Sequence, residues 1–422
     1  MTYKESLAWL YGLQRFGIKL GLENIRRLVR ELDAAPRGSK VIHVAGTNGK
    51  GSVCAMIDSI CRAGKLRTGL FISPHLVTFR ERIRMNGEMI SEADVASGLT
   101  TIKNLVANWE PHPTFFEITT ALALRYFANE RTEVVILETG LGGRLDATNA
   151  VASNVSVIMP IALDHEEWLG DSIEKIASEK AGIIKPQTPV ISAPQVGDAG
   201  KVIRLRAAEY DAQVEFIHQP YNNSPVGLRG EHQKLNAAIA IAAIRSAKIE
   251  MSDSAIARGL TQVEWPARFQ CWDKRTVIDG AHNPAAAKLL AQTWREIFGD
   301  ERATVILAVL SDKDFRGICD ALAPIADSFL LPKIRTERAM DPKTLAEICA
   351  SVCKAGASPA AKSEPDERLS GSSISITATF AEALAKARAK TAPILITGSL
   401  HFAGEALAHL QGQPAAFEEC AQ

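Results

Sequence analysis

An excess of charge of either sign is missing: Lys plus Arg and Asp plus Glu each number 48 in 422 residues. With no net field to recruit nucleic acid or an anionic membrane, neither is expected as a partner. Long apolar runs are missing too. Val155–Leu163 and Ala237–Ile244 are the longest, and neither approaches the roughly 20 residues that span a bilayer. No cleavable apolar segment is visible around Glu5, and a cytoplasmic protein is expected. A disulfide framework is also absent, because the seven cysteines are odd in number and scattered, so buried free thiols are expected. Cys349 and Cys353 lack a second pair of ligands nearby and read as core packing rather than a metal site. No repeat of solenoid period is visible, and 422 residues exceed one ordinary core, which predicts two domains.

What is present is a short apolar run that turns abruptly polar, Val41-Ile-His-Val-Ala-Gly-Thr-Asn-Gly-Lys-Gly-Ser-Val53. It reads as strand, phosphate loop and helix. Gly46, Gly49 and Gly51 free the backbone around Thr47 and Asn48 to approach an anion, which successive N–H groups and the helix N-terminus face. Lys50 would reach the terminal phosphates and Ser52 would offer its hydroxyl to Mg²⁺. Gly51 between Lys50 and Ser52 departs from the commonest phosphate-loop spacing. A glycine-rich turn can be purely structural, but Lys50 and Ser52 in these places favour nucleotide binding. Val53, Met56, Ile57 and Ile60 recur at helical spacing and Gly64 closes the helix.

Helical patterns at Lys4–Arg15 and Glu23–Leu32, separated by Gly17, precede this loop. Beyond it, Thr68–Ile72, Val134–Glu138, Val155–Ile161 and Val190–Ser192 read as strands alternating with helices. The pattern predicts a mostly parallel sheet covered on both faces, with ligands at the carboxyl ends of the strands. Each such end carries a polar group. Ser73-Pro-His-Leu76 follows the first and could equally be a cap or turn. Glu138 ends the second, where a carboxylate is costly unless paired, for example with Arg144, or metal-bound. Asp164-His165 follows the third; a lone histidine is commonly structural, but as the third candidate on one edge it points to metal. Lys180 reads most simply as a solvated or ion-paired lysine, and Asn236, heading an alanine-rich helix, as either packing or ligand-facing.

Val263–Gln270, with Pro266 and Arg268, breaks the pattern and sets the expected domains at 1–268 and 269–422. The second part repeats the α/β logic with strands at Thr276–Asp279, Thr304–Leu310, Ser328–Leu331 and Ile394–Thr397. Asp279 and His282 stand on its crest, with Asn283 and Pro284 opening a helix; Leu310–Asp314 and Thr397–His401 occupy comparable crests. Residues 355–373 read as a mobile surface connection.

Together, Gly46–Ser52, Ser73–Leu76, Arg80–Ile83 with Asn86-Gly87, Glu138–Asn149, Asp164-His165, Glu179–Gly182, Arg268–Gln270, Asp279–Pro284 and Gly398–Leu400 resemble, in order, the motifs of the folylpolyglutamate synthase and dihydrofolate synthase family, Mur-ligase-like ATP-dependent amide ligases. The resemblance implies a Mur-ligase-like P-loop ATPase domain followed by a smaller Rossmann-like domain. It implies ATP on Gly46–Ser52 with Asn236, Arg268 and Asp279, one Mg²⁺ on Ser52 or Ser73 with Glu138, a second at His165, and a place for K⁺. The lysine matching Lys180 can be carbamylated in the family, which would make it an anion able to serve the second metal. An acyl phosphate would form on the acceptor carboxylate and be attacked by the amino group of L-glutamate, with Lys50 and Lys180 in catalysis and His282 and Ser399 orienting or deprotonating glutamate. The acceptor, dihydropteroate or a reduced folate, would touch Thr114, Phe115, Phe116, Glu117, Leu145 and Asp146, although both phenylalanines could equally be core. The compact chain looks like the bifunctional bacterial form and is compatible with a monomer. The competing readings are an enzyme with one of the two activities, a Mur-type peptide ligase, and a nucleotide switch without ligase activity.

Overall fold

A computed structural model describes residues 1–16, 21–355 and 373–419. The apolar runs become β1 (Lys40–Ala45), β2 (Thr68–Phe71), β3 (Ile83–Met85), β4 (Glu88–Met89), β5 (Val134–Glu138), β6 (Val155–Ile158), β7 (Val190–Ser192) and β8 (Val214–Phe216). They pair in the order β4-β3-β2-β5-β1-β6-β7-β8. Every pairing from β2 to β8 is parallel, and only β3 and β4 add an antiparallel edge. Alternation along β1 explains why both faces need cover: Ile42 and Val44 pack with the helices Lys50–Ala63 and His232–Ser246, while Val41 packs with Tyr3–Gly12, Glu92–Val106 and Phe115–Asn129.

The second sheet comprises β9 (Gln270–Cys271), β10 (Thr276–Ile278), β11 (Ala303–Leu307), β12 (Ala326–Pro332), β13 (Ser373–Thr377) and β14 (Ile394–Thr397), in the order β13-β12-β11-β14-β10-β9. Only the β9–β10 pair is antiparallel. Pro284–Phe298 and Phe315–Leu322 cover one face, Phe380–Arg388 and Leu400–Leu410 the other. The strands of one sheet end at Phe216 and those of the other begin at Gln270, and we place the domain boundary between them at 268/269.

Several elements depart from the sequence expectations. The strand expected at Val155–Ile161 stops at Ile158, just before Pro160, which has no N–H to continue the ladder. The first helix ends at Gly12 and tightens into a 3₁₀ turn over Leu13–Phe16. Strands β3, β4, β8, β9 and β13 carry no long apolar run and went unseen. Gly17 and most of the 355–373 connection lie outside the described residues. Cys54, Cys61, Cys319 and Cys349 are buried free thiols, Cys353 is buried, and Cys271 is exposed. Among the described residues, no helix is long and apolar enough to cross a membrane.

Candidate active site

Strand register brings the polar strand ends to one level. Val44 pairs with Glu138 and Ala45 with Ile158, while Phe71 pairs with Leu137. The chain therefore leaves β1, β2, β5 and β6 along one edge. Gly46 opens the phosphate loop at φ +145°, and a side chain there would begin 2.5 Å from Met159 Cβ, so only glycine fits. Thr47 N–H donates to the Pro160 carbonyl at 2.9 Å and its hydroxyl to that of Ala162 at 3.1 Å. Gly49, also at positive φ, caps the helix Lys50–Ala63. Lys50 Nζ folds over the loop, donating to the Gly46 and Thr47 carbonyls at 3.1 and 3.3 Å. Ser52 is buried in the first helical turn. Asn236 Oδ1 lies 3.5 Å from where a side chain on Gly49 would begin, and its amide donates to Gln233 at 2.9 Å.

Lys180 is buried and makes no ion pair among the described residues. It ends the buried face of the helix Ile173–Ala181 and its Nζ donates to the Gly46 carbonyl at 2.9 Å. Burial, aided by the charge of Lys50, brings it down to about 7. The alternative of an Arg144–Glu138 ion pair is overturned: Arg144 pairs with Glu179 at 2.9 Å. The Glu138 carboxylate is buried with the Ser73 N–H at 3.4 Å, and burial pushes it up against the opposing charges of Lys50 and Arg268. Gly51, Ser73, Glu138, Trp265, Arg268 and Leu400 share an open cleft of ≈ 420 Å³.

This carboxylate is a hard-oxygen donor with no ion-pair partner within 4 Å among the described residues, lining the cleft beside Ser73, and that chemistry fits Mg²⁺. Among the described residues no group of three His, Cys, Asp or Glu side chains is arranged to hold a metal ion, so a Mg²⁺ on Glu138 with Ser52 or Ser73 would leave positions for phosphate and water oxygens. His165 caps a short helix in the left-handed conformation with its ring exposed, 3.9 Å from Asp164.

The second domain closes on this edge through contacts that no motif announced. Asn48 and Asn283 exchange amide hydrogen bonds at 3.1 and 3.2 Å. Asp164 meets Lys313 Nζ at 2.8 Å and His282 Nε2 at 3.7 Å. Burial opposes its ionisation, but His282, His165 and Lys313 hold its carboxyl far below the usual range. Asp279 accepts the Phe269 and Ala281 N–H groups, both at 2.8 Å, fixing the linker that presents Arg268. Ser399 is buried, its hydroxyl donating to the Ala308 carbonyl at 3.3 Å and capping the helix Leu400–Leu410. Trp265, beside Gly51, is a further lining residue; its only sequence signal is proximity to Arg268.

Around the expected acceptor residues, Thr114 and Glu117 cap one helix reciprocally. Phe115 turns into the core and stacks on Tyr11 at 5.7 Å. Phe116 is half-buried and lies against Gly140, where a side chain would begin 2.5 Å from its Cζ. Leu145 is half-buried. Asp146 accepts the N–H groups of Gly140, Leu141 and Thr148 at 2.9–3.0 Å and thereby shapes the glycine-rich loop.

A phosphate loop with a facing α/β domain defines a class of ATP-dependent ligase, and the family comparisons agree: the Mur ligase middle domain matches residues 44–199 and the Mur ligase glutamate ligase domain residues 267–400. A dihydrofolate synthase/folylpolyglutamate synthase from Bacillus subtilis is 35% identical over 359 residues, 77% of this chain and 84% of that one. The Mycobacterium tuberculosis folylpolyglutamate synthase complexed with ADP and AMPPCP superposes at TM-score 0.84 with 32% identity, over 97% of this chain and 99% of that one. The bifunctional folylpolyglutamate synthase/dihydrofolate synthase of Yersinia pestis, complexed with AMPPNP and Mn, gives 0.84 and 29% over 97% and 98%. The chain belongs to the dihydrofolate synthase/folylpolyglutamate synthase family.

Proposed function

We propose that this ligase joins the amino group of L-glutamate to the carboxylate of dihydropteroate and of reduced folates, driven by ATP. The observation that carries the reading is the convergence of Lys50, Lys180, Ser73 and Glu138 on one sheet edge faced by the second domain. ATP would lie on Gly46–Ser52, with Asn236 behind the loop and Arg268 at the cleft wall. A carboxylate is a poor electrophile, so one of its oxygens first takes the terminal phosphoryl group. The amine then attacks the carbonyl carbon, and phosphate leaves with that oxygen. Mg²⁺ held by Ser52, Ser73 and Glu138 would offset phosphate charge. Lys50 adds a fixed cation, and the Asn48–Asn283 and Asp164–Lys313 contacts favour exclusion of water, which would hydrolyse the acyl phosphate.

A buried Lys180 amine that is substantially neutral near pH 7 suits addition to CO₂, giving a carbamate and a released proton; the resulting anion could serve a second metal with His165. Phe116 is better placed than Phe115 to stack on a pterin. His282 reaches the same crest as Asp164 and remains our candidate for orienting glutamate, with Ser399 behind it. We further propose an accessory K⁺, a monomeric state, which a two-domain clamp permits, and a cytoplasmic location. The test supplies purified protein with ATP, Mg²⁺ and glutamate, and with dihydropteroate or tetrahydrofolate in separate reactions. ADP and a glutamylated product are expected from both; product from one acceptor assigns a single activity, and product from neither overturns the reading.

A further inference from the structure

Two adjacent residues near the end of the described chain grip different domains. Phe417 sets its ring edge-on to His401 of the helix Leu400–Leu410, with centroids 5.1 Å apart. Glu418 crosses to the first domain. Its carboxylate accepts the Phe79 N–H at 2.6 Å, the Thr78 hydroxyl at 3.1 Å and the Tyr3 hydroxyl at 3.1 Å. Its own N–H donates to the Val77 carbonyl at 2.8 Å, and its carbonyl meets His75 Nε2 at 3.0 Å. The sense of that last bond is set by Arg82, whose Nε donates to His75 Nδ1 at 2.8 Å and leaves Nε2 to carry the proton.

The segment so gripped leads directly from Ser73. From the other side Glu81 accepts the Leu76, Val77 and Thr78 N–H groups at 2.9–3.0 Å. The Leu76 side chain packs in the second domain's core with Phe402 and Ala403. Its carbonyl abuts Gly404 so closely that a side chain there would begin 1.9 Å away. The second domain thus holds residues 75–79 by a carboxylate, a carbonyl and a packed helix, while the Ser73 N–H at the head of the loop donates to Glu138 at the end of the neighbouring strand β5.

We propose that Glu418 is a positioning residue: the 414–419 segment, carried by the second domain, fixes the height of the Ser73–Thr78 loop and so the meeting of Ser73 with Glu138. This rests on the ligase reading above. Hydrogen bonds to a carboxylate acceptor are roughly twice as strong as neutral ones, so Glu418 adds substantially to the hold that Glu81, Arg82 and Tyr3 of the first domain have on the same loop.

The test compares full-chain Glu418→Ala and Glu418→Gln with the parent by amide exchange over residues 75–82, thermal unfolding, and kcat and KM for ATP and glutamate. Glu418→Ala is expected to speed exchange there by about tenfold and to lower kcat by about tenfold. KM for glutamate and the melting temperature should stay close to the parent's. Glu418→Gln keeps an oxygen acceptor for the Phe79 N–H and should recover most of both losses. Faster exchange with parental kcat, unchanged exchange, or unfolding of both variants would each overturn the proposal. Absence of ligation by the parent would instead overturn the functional reading, and the exchange result would still stand.

Discussion

His43 and His75, each 1% exposed, sit where a second proton is hard to accept. Burial lowers His43 to about 3, and burial together with the Arg82 charge puts His75 well below its ordinary value of 6.5. In the unfolded chain both would take a proton near that ordinary value, so the unfolded state binds more protons below it. Their contribution is therefore complete above about pH 6.5 and lost as pH falls, at about 1.4 kcal/mol per pH unit for each histidine. Asp164, held low, adds its own loss only below the ordinary carboxylate range, outside this window. His165, His232 and His401, lowered chiefly by burial, act in the same direction over the same window, so urea unfolding between pH 7 and 5 should show stability falling as pH falls, and a flat profile would contradict the assignment. Lys180 shows what single residues disclose and conceal. Read from the sequence as solvated or ion-paired, it is buried, and only the structure shows that it shares one helical face with Ile176, Ala177 and Ala181. The carbonyl it reaches, 134 positions earlier, was not legible either.

Among the elements, those with long apolar runs or caps were readable: β1, β5, the phosphate-loop helix and the Thr114–Glu117 helix start. The hairpin of β3 and β4 is only three and two residues long, too short for periodicity to register. The helix Leu400–Leu410 carries a constraint invisible in its sequence, because Gly404 reads there as a helix-weakening residue and is instead the point of contact with Leu76. Gly404→Ala would place a methyl against backbone that no rotamer change can clear. Overpacking of this kind costs about 1–3 kcal/mol, and we expect a loss of that size by urea unfolding, with reduced ligation from a displaced Ser73–Thr78 loop. An Ala variant as stable as the parent would show that the helix can shift freely.

Across the whole molecule, the sheets and their order of motifs were legible because each strand end carried its own polar signal. The particular contacts that close one domain on the other were not. Asn48 and Asn283 are 235 positions apart, and Lys313 and Asp164 are 149 apart, so nothing local links them. These contacts give the second domain its role, since they seat it over the loop where phosphoryl transfer would occur. We propose that ATP activates the acceptor carboxylate before glutamate attacks. Ligation with an acceptor labelled with ¹⁸O in that carboxylate tests it most directly: phosphate released in step with the new amide should carry one labelled oxygen, whereas amide formation with unlabelled phosphate would contradict activation through an acyl phosphate.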